Sequence, residues 1–579
     1  MHAAHPGMAT REFVRPAGAA TTWHQLGLDA TGSPIEVGRE VAMMIAWLAG
    51  LAFGSGSDPN VCDLGGPEDA GLITLNGTNY PTVGAAIGAT QNGDTVFVCR
   101  GTYPVSAVVG SITVKAVDGP DLTRLDGIGL PGITLEIVGA AVIDGFQIVG
   151  GDPLEPAIIV RKSAEAQLWN NRVFGSSDRG ITVENFADAI LLDTEVYGNA
   201  GGGIHAFGPG LLGLSGSRVW GNFAYEGAGL WVSNDRVVVG GTVERNSGAR
   251  GGGVYAADGA ILLDTVITSN DASDGGNVFV GPVEAWEGEP VALVDCVVQS
   301  GFADRGGGIF VESDTNYDKE FDSAFGIDLE STDVVDNVAK REGGGIWHGG
   351  WRVLGDGKST VSRNDAPLGG GIYLASLDWD GDSATVDNLS ITDNTAENGG
   401  GVYLASTSVN APRYGRYYDL LRDRIIGNVA AYAGGGVGMP FVGDWGPDFR
   451  SYALFQFTVL DGNTADLGGG LFAASQHISL GEGAEITGSV ATIGGGMYLD
   501  RDAEVQVDAF DTFVTRVASN KADEGGGAAV VGTGATLSSY NNTDWGTGDT
   551  DNAPDDVRAT GSYMYKTEFF SCTPSGCTP

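Results

Sequence analysis

Asn364-Asp365-Ala366-Pro367-Leu368-Gly369-Gly370-Gly371-Ile372-Tyr373 is one copy of a phrase that returns along most of the chain. Asn394-Thr395-Ala396-Glu397-Asn398-Gly399-Gly400-Gly401-Val402-Tyr403 and Asn463-Thr464-Ala465-Asp466-Leu467-Gly468-Gly469-Gly470-Leu471-Phe472 repeat it almost residue for residue. Twelve glycine clusters, starting at 201, 227, 251, 275, 306, 343, 369, 399, 434, 468, 494 and 525, are spaced 24 to 37 residues apart. A period in that range marks stacked supersecondary units, none able to bury its apolar face alone. Between clusters the residues alternate with period two, as in Ala384-Thr385-Val386-Asp387-Asn388-Leu389-Ser390-Ile391. Short alternating runs broken by Gly, Asn and Asp read as strands and tight corners.

Three strands and three turns per unit, coiled so that each strand pairs with its equivalents ~4.8 Å above and below, make a parallel β-helix. The fold class expected is therefore all-β, a solenoid of ~14–16 coils about 70 Å long at that spacing. The Asn residues (Asn199, Asn246, Asn364, Asn394, Asn463, Asn520) are expected to form a structural amide ladder and to hold the left-handed corner conformation. Two columns follow the glycines: aliphatic Ile204, Val254, Ile309, Ile346, Ile372, Val402, then aromatic Trp231, Tyr255, Phe279, Phe310, Trp347, Tyr373, Tyr403. Successive strand residues point to opposite faces, so one column must face out.

The Gly-Gly-Gly-Ile/Val element, with an aliphatic-x-x-Asn element such as Ile391…Asn394, resembles the repeats of polymorphic outer-membrane proteins and, more broadly, right-handed parallel β-helix proteins. The resemblance spans about residues 180–530. Only 39 residues follow Tyr540, too few for a translocating autotransporter barrel. Tyr80 to Ala89 has a short helical pattern, similar to the capping helix of secreted β-helices. The organisation expected is a leader with a signal-like apolar segment (1–54), an N-terminal cap and first strand (55–105), the β-helix (106–540) and an acidic C-terminal cap or tail (541–579).

Composition narrows the function. Gly is 95 of 579 residues but not every third one, which excludes collagen. A net charge of −42 repels nucleic acid and anionic lipid headgroups, and attracts divalent or cationic ligands. Val41 to Phe53 is too short to span a bilayer but suits a signal peptide, so a secreted or outer-surface location is expected. Cys62 with Cys99, and Cys572 with Cys577, are candidate disulfides at the two ends, leaving Cys296 free. Nothing in the repeat sets an oligomeric state.

Chemistry is sparse. Compared with β-helix enzymes, the chain lacks the aspartate cluster with His-Gly of polygalacturonases, the Trp-Ile-Asp-His of pectate lyases and the Asp-Pro-His-Asp of epimerases. No catalytic residue is assigned. The long coils carry aromatics beside charges: Trp351, Trp379, Arg413, Arg416, Tyr417 and Trp445 are candidate ligand-binding residues for a polysaccharide or cell-surface glycan. Rings stack on sugar faces while polar groups bond hydroxyls. Asp378, Asp380 and Asp382, with Asp549, Asp551 and Asp555, are candidate calcium ligands, the one cofactor suggested. The leading expectation is a non-enzymatic scaffold or adhesin-like module. A polysaccharide lyase or glycoside hydrolase, and a purely structural surface protein, are the alternatives.

Overall fold

The computed structural model describes Cys62 and residues 71–282, 289–312, 326–375, 383–405, 417–440, 451–508, 513–540, 542–559, 562–564 and 570–578. One coil shows the plan. Ser383–Asp387 belongs to the first sheet, Ser390–Thr392 to the second, Thr395–Asn398 to a short third and Val402–Leu404 to the fourth. Each strand pairs in parallel with its counterpart one coil away, for example Ile372 with Val402 and Val386 with Leu420. The first sheet has twenty-one strands, four of them antiparallel at its ends, which leaves seventeen coils among the described residues. The molecule is a right-handed parallel β-helix, about 80 Å long at ~4.8 Å per coil. Seventeen exceeds the expected number because the coils from Thr95 onward precede the first glycine cluster and lack its signature.

The core is the interior of the coil. Val386, Ile391, Val402 and Leu404 are fully buried, and so are their equivalents in neighbouring coils. Alternation along each short strand places the intervening residues outside, as period two requires.

The Asn ladder runs through this interior. Asn394 donates from Nδ2 to Asn428 Oδ1 at 3.0 Å and to the Val361 carbonyl at 2.9 Å. Its Oδ1 accepts from Asn364 Nδ2 at 3.0 Å and from the Asn364 backbone N–H at 2.9 Å. Both donors and both acceptor sites of the amide are thereby satisfied. The left-handed corner is not at the Asn, contrary to expectation. It lies one residue earlier, at Arg363 (φ 53°), Asp393 (φ 56°) and Gly427 (φ 66°). The corner residue can then point its side chain to solvent, while the Asn keeps an ordinary backbone and turns its amide inward.

The third glycine of each cluster makes room for that amide. A Cβ on Gly371 would sit 2.9 Å from Asn394 Nδ2 and 2.5 Å from the Gly401 carbonyl. One coil reverses the arrangement. Gly301 stands at a ladder position, and Asn277 replaces the third glycine of the preceding cluster. Asn277 Oδ1 accepts from Asn270 Nδ2 at 2.9 Å and its Nδ2 donates to Asn337 Oδ1 at 3.0 Å, so the ladder continues unbroken. A Cβ on Gly301 would lie 2.6 Å from Asn277 Nδ2. Glycine and asparagine have exchanged places because only one side chain fits.

The ends are closed. Val83–Gly88 is a helix, capped by Thr82 Oγ1 accepting from the Ala85 N–H, and it buries Val83, Ala86 and Ile87 against the first coil. Disulfides join Cys62 to Cys99 and Cys572 to Cys577, while Cys296 is a buried free thiol. At the far end Trp545 and Phe570 pack together over the last coil.

Candidate functional site

Two rows of aromatic rings run along the outside of the coil. The first is the column that follows the glycine clusters. Tyr255, Phe279, Phe310, Trp347, Tyr373 and Tyr403 stack in sequence, with ring centroids 4.2 to 6.2 Å apart and planes within 13° of parallel. They face outward, yet Phe279 is 0% and Trp347 only 7% exposed. From Gly251 onward the first glycine of each cluster, at φ near +65°, turns the short third sheet back toward the fourth. Side chains of the third sheet then lie against the rings. Arg305 sits over Phe310 and Trp347 while its guanidinium bonds Asp274 at 2.8 and 3.0 Å, and Trp347 Nε1 donates to Glu342 at 3.0 Å. Burial raises the Tyr403 hydroxyl to about 12, with Glu342 and Tyr418 adding to the shift. These rings form a second core, and their faces cover one another.

The second row is open. Tyr417, Tyr452 and His477 occupy the same outward position on three successive strands of the first sheet. Their rings stack at 5.0 and 4.9 Å, with Tyr417 45% and Tyr452 41% exposed. His477 Nδ1 lies 3.1 Å from Glu504, the next residue of the row. Two residues along each strand runs a parallel outward row, polar except at Leu454: Arg352, Thr385, Asp419, Leu454, Ser479 and Gln506. Burial pushes the Asp419 carboxyl up from its ordinary value. Arg352 bonds Asp328 of the preceding coil at 3.5 Å. Ser383, Tyr417 and Tyr452 are in register, so this outward position continues from coil to coil.

Of the six candidate ligand-binding residues, Tyr417 is in this row. Trp351 is half-buried just before the strand Arg352–Leu354, next to Arg352 and out of phase with the outward positions. Trp379, Arg413, Arg416 and Trp445 lie outside the described residues, as do Asp378, Asp380 and Asp382. Asp549 and Asp551 are exposed, and Asp555 is buried with its carboxylate accepting from the Gly525 and Gly526 N–H groups. Among the described residues no three metal-ligating side chains come together. Sequence reading missed Tyr452 and His477. A signal for Tyr452 existed: Tyr417 and Tyr452 each stand eleven residues before a ladder Asn, Asn428 and Asn463.

The other described histidines, His348 and His205, are structural. His348 is fully buried in the inward column between Val311 and Leu374. Burial, helped by Arg179, lowers His205 to about 3 and keeps its ring neutral against Trp231.

Residues 131–281 match the family model described as right handed beta helix region. The SHC SH2 domain-binding protein 1 of Homo sapiens is 30% identical over 127 residues, covering 21% of this chain and 19% of that protein. Its Mus musculus counterpart is 28% identical over the same length and shares. The chain thus spans about a fifth of the length of these relatives. Among solved structures, the A-module of the mannuronan C-5 epimerase AlgE6 of Azotobacter vinelandii aligns over 82% of this chain and 94% of that one, at 14% identity and a TM-score of 0.23. Among the described residues no helix is long and apolar enough to cross a membrane.

Proposed function

We propose that this protein is a secreted or surface-displayed β-helical scaffold that binds polysaccharide without transforming it, on the outer face of its first sheet. The exposed stacked row Tyr417–Tyr452–His477 carries this reading. Exposed rings in register with a polar row offer a sugar both an apolar surface and hydroxyl partners. The rings lie on a rigid sheet, so the ordering cost of binding falls mainly on the glycan.

The test is a glycan array followed by titration calorimetry on the intact protein. Tyr417→Ala combined with Tyr452→Ala should abolish binding, because a few aromatic anchors dominate such contacts. The thermal midpoint should stay unchanged. Unchanged binding in the double variant, or no binding to any glycan, leaves the row a structural feature. Release of shortened or unsaturated sugars by the wild type would replace binding with hydrolase or lyase activity.

A further inference from the structure

The open row has carboxylates at both ends, Asp419 beside Tyr417 and Glu504 beside His477. Asp419 is the unusual one. It is half-buried on the outer face, flanked by Thr385 and Leu454 in the neighbouring coils. Among the described residues it has no hydrogen-bond or ion-pair partner, and burial raises its carboxyl. The nearby described cations are engaged elsewhere: Arg352 with Asp328 at 3.5 Å and Arg422 with Asp387 at 2.8 Å. By contrast, Arg305 on the third sheet is held bidentate by Asp274.

An unpaired, partly desolvated carboxylate costs free energy that a bound cation would recover. An exposed aromatic ring within one side chain's reach adds attraction for the same charge, since its π face favours ammonium groups. Among the described residues Tyr417 ends its stack: Tyr452 covers one face, and no described ring covers the other. A ring buried inside a stack has no face to offer, but a terminal ring does. The protein's net charge of −42 draws cationic polymers and repels polyuronates.

We infer that the glycan held by this row is a linear polymer carrying protonated amino groups, with an ammonium seated between Asp419 and the Tyr417 ring and the chain lying along the solenoid axis. This rests on the polysaccharide-binding reading of the same face. An axial chain would meet equivalent positions at every coil, about 4.8 Å apart. Thr385, Ser479 and Gln506 of the polar row would then bond its hydroxyls.

Three hexasaccharides separate the cases by calorimetry in mildly acidic buffer: glucosamine, N-acetylglucosamine and a uronic acid oligomer. The glucosamine hexamer should bind at least about tenfold tighter than its acetylated twin, the worth of one charge-assisted hydrogen bond. Asp419→Asn should remove that preference while leaving the acetylated hexamer's affinity unchanged. The preference should also shrink as salt is added. Equal affinity for both glucosamine polymers, tighter uronate binding, or an Asp419→Asn protein that retains the preference overturns the inference and leaves the binding reading standing. Failure of all three to bind wild type overturns both. Circular dichroism and the thermal midpoint establish that the variant is folded.

Discussion

The two rows of rings are built from the same residue types at the same coil spacing, and they do opposite things. Phe310 and Trp347 stack at 4.2 Å and are almost inaccessible, whereas Tyr417 and Tyr452 stack at 5.0 Å and are nearly half exposed. The difference lies in what faces them. The sealed row sits in a concave corner, where the glycine at positive φ folds the third sheet back and Arg305 and Glu342 reach the rings. The open row sits at the start of successive strands of the first sheet, beside polar residues of the same strands. Aromatic character therefore says little about availability on a solenoid. Corner geometry decides it.

The sharpest way to break this contrast is stability. Trp347→Ala should cost ~3–5 kcal/mol, the range for deleting a large buried aromatic. Urea unfolding would measure it, and a loss below ~1 kcal/mol would mean the sealed row is not a core. Asn394→Ala probes the frame beneath both rows. It removes the donors to Val361 and Asn428 and the acceptor for Asn364, and should cost ~2–3 kcal/mol. An unchanged midpoint would show that the ladder contributes no stability.

Asp423 separates interior from surface by its pH response. Fully buried, it occupies a column that holds hydroxyl residues such as Ser359 and Thr458 on other coils and Leu389 on the preceding one, beneath the Asp387–Arg422 pair. Its Oδ1 accepts from the Leu389 N–H at 3.0 Å and its Oδ2 has no partner. Burial raises its pKa well above the usual carboxylate value, with Asp387 adding and Arg422 opposing. The folded state therefore holds this proton more tightly than the unfolded chain does. Its contribution to stability is complete below the unfolded value of ~3.9 and is lost as pH rises through the raised folded value. Asp423→Thr, which restores a donor, should be more stable than wild type at neutral pH by about 1–2 kcal/mol. That gain should shrink as pH falls from the raised folded value toward ~4, and change no further below it. A gain of equal size at both pH values would sink this account.

The smallest expected effect falls on the open row. Tyr452→Ala should alter the free energy of urea unfolding by no more than ~0.5 kcal/mol, as exposed substitutions do. A loss comparable with Trp347→Ala would make both rows structural and remove the basis for the binding site.

Much of the solenoid was legible in the chain. The Asn-to-glycine spacing gave the coil, period two gave the strands, and alternation required that the aliphatic or the aromatic column face outward. Those signals are local, repeated and redundant, so twelve weak copies add up to one strong pattern. Tyr417 was legible as a ring among charges. Tyr452 and His477 were not, because their significance depends on register with Tyr417 across coils separated by 35 and 25 residues. The exchange of Asn277 for Gly301 shows the same limit, since it looks like a degenerate repeat until the amide is seen filling the next coil's vacancy. The chain alone determined what repeats, because strand period and corner chemistry act over a few residues. Which ring row is sealed, which corner residue is left-handed and which carboxylate lacks a partner were decided only by the tertiary structure, because each depends on the neighbouring coil above or below.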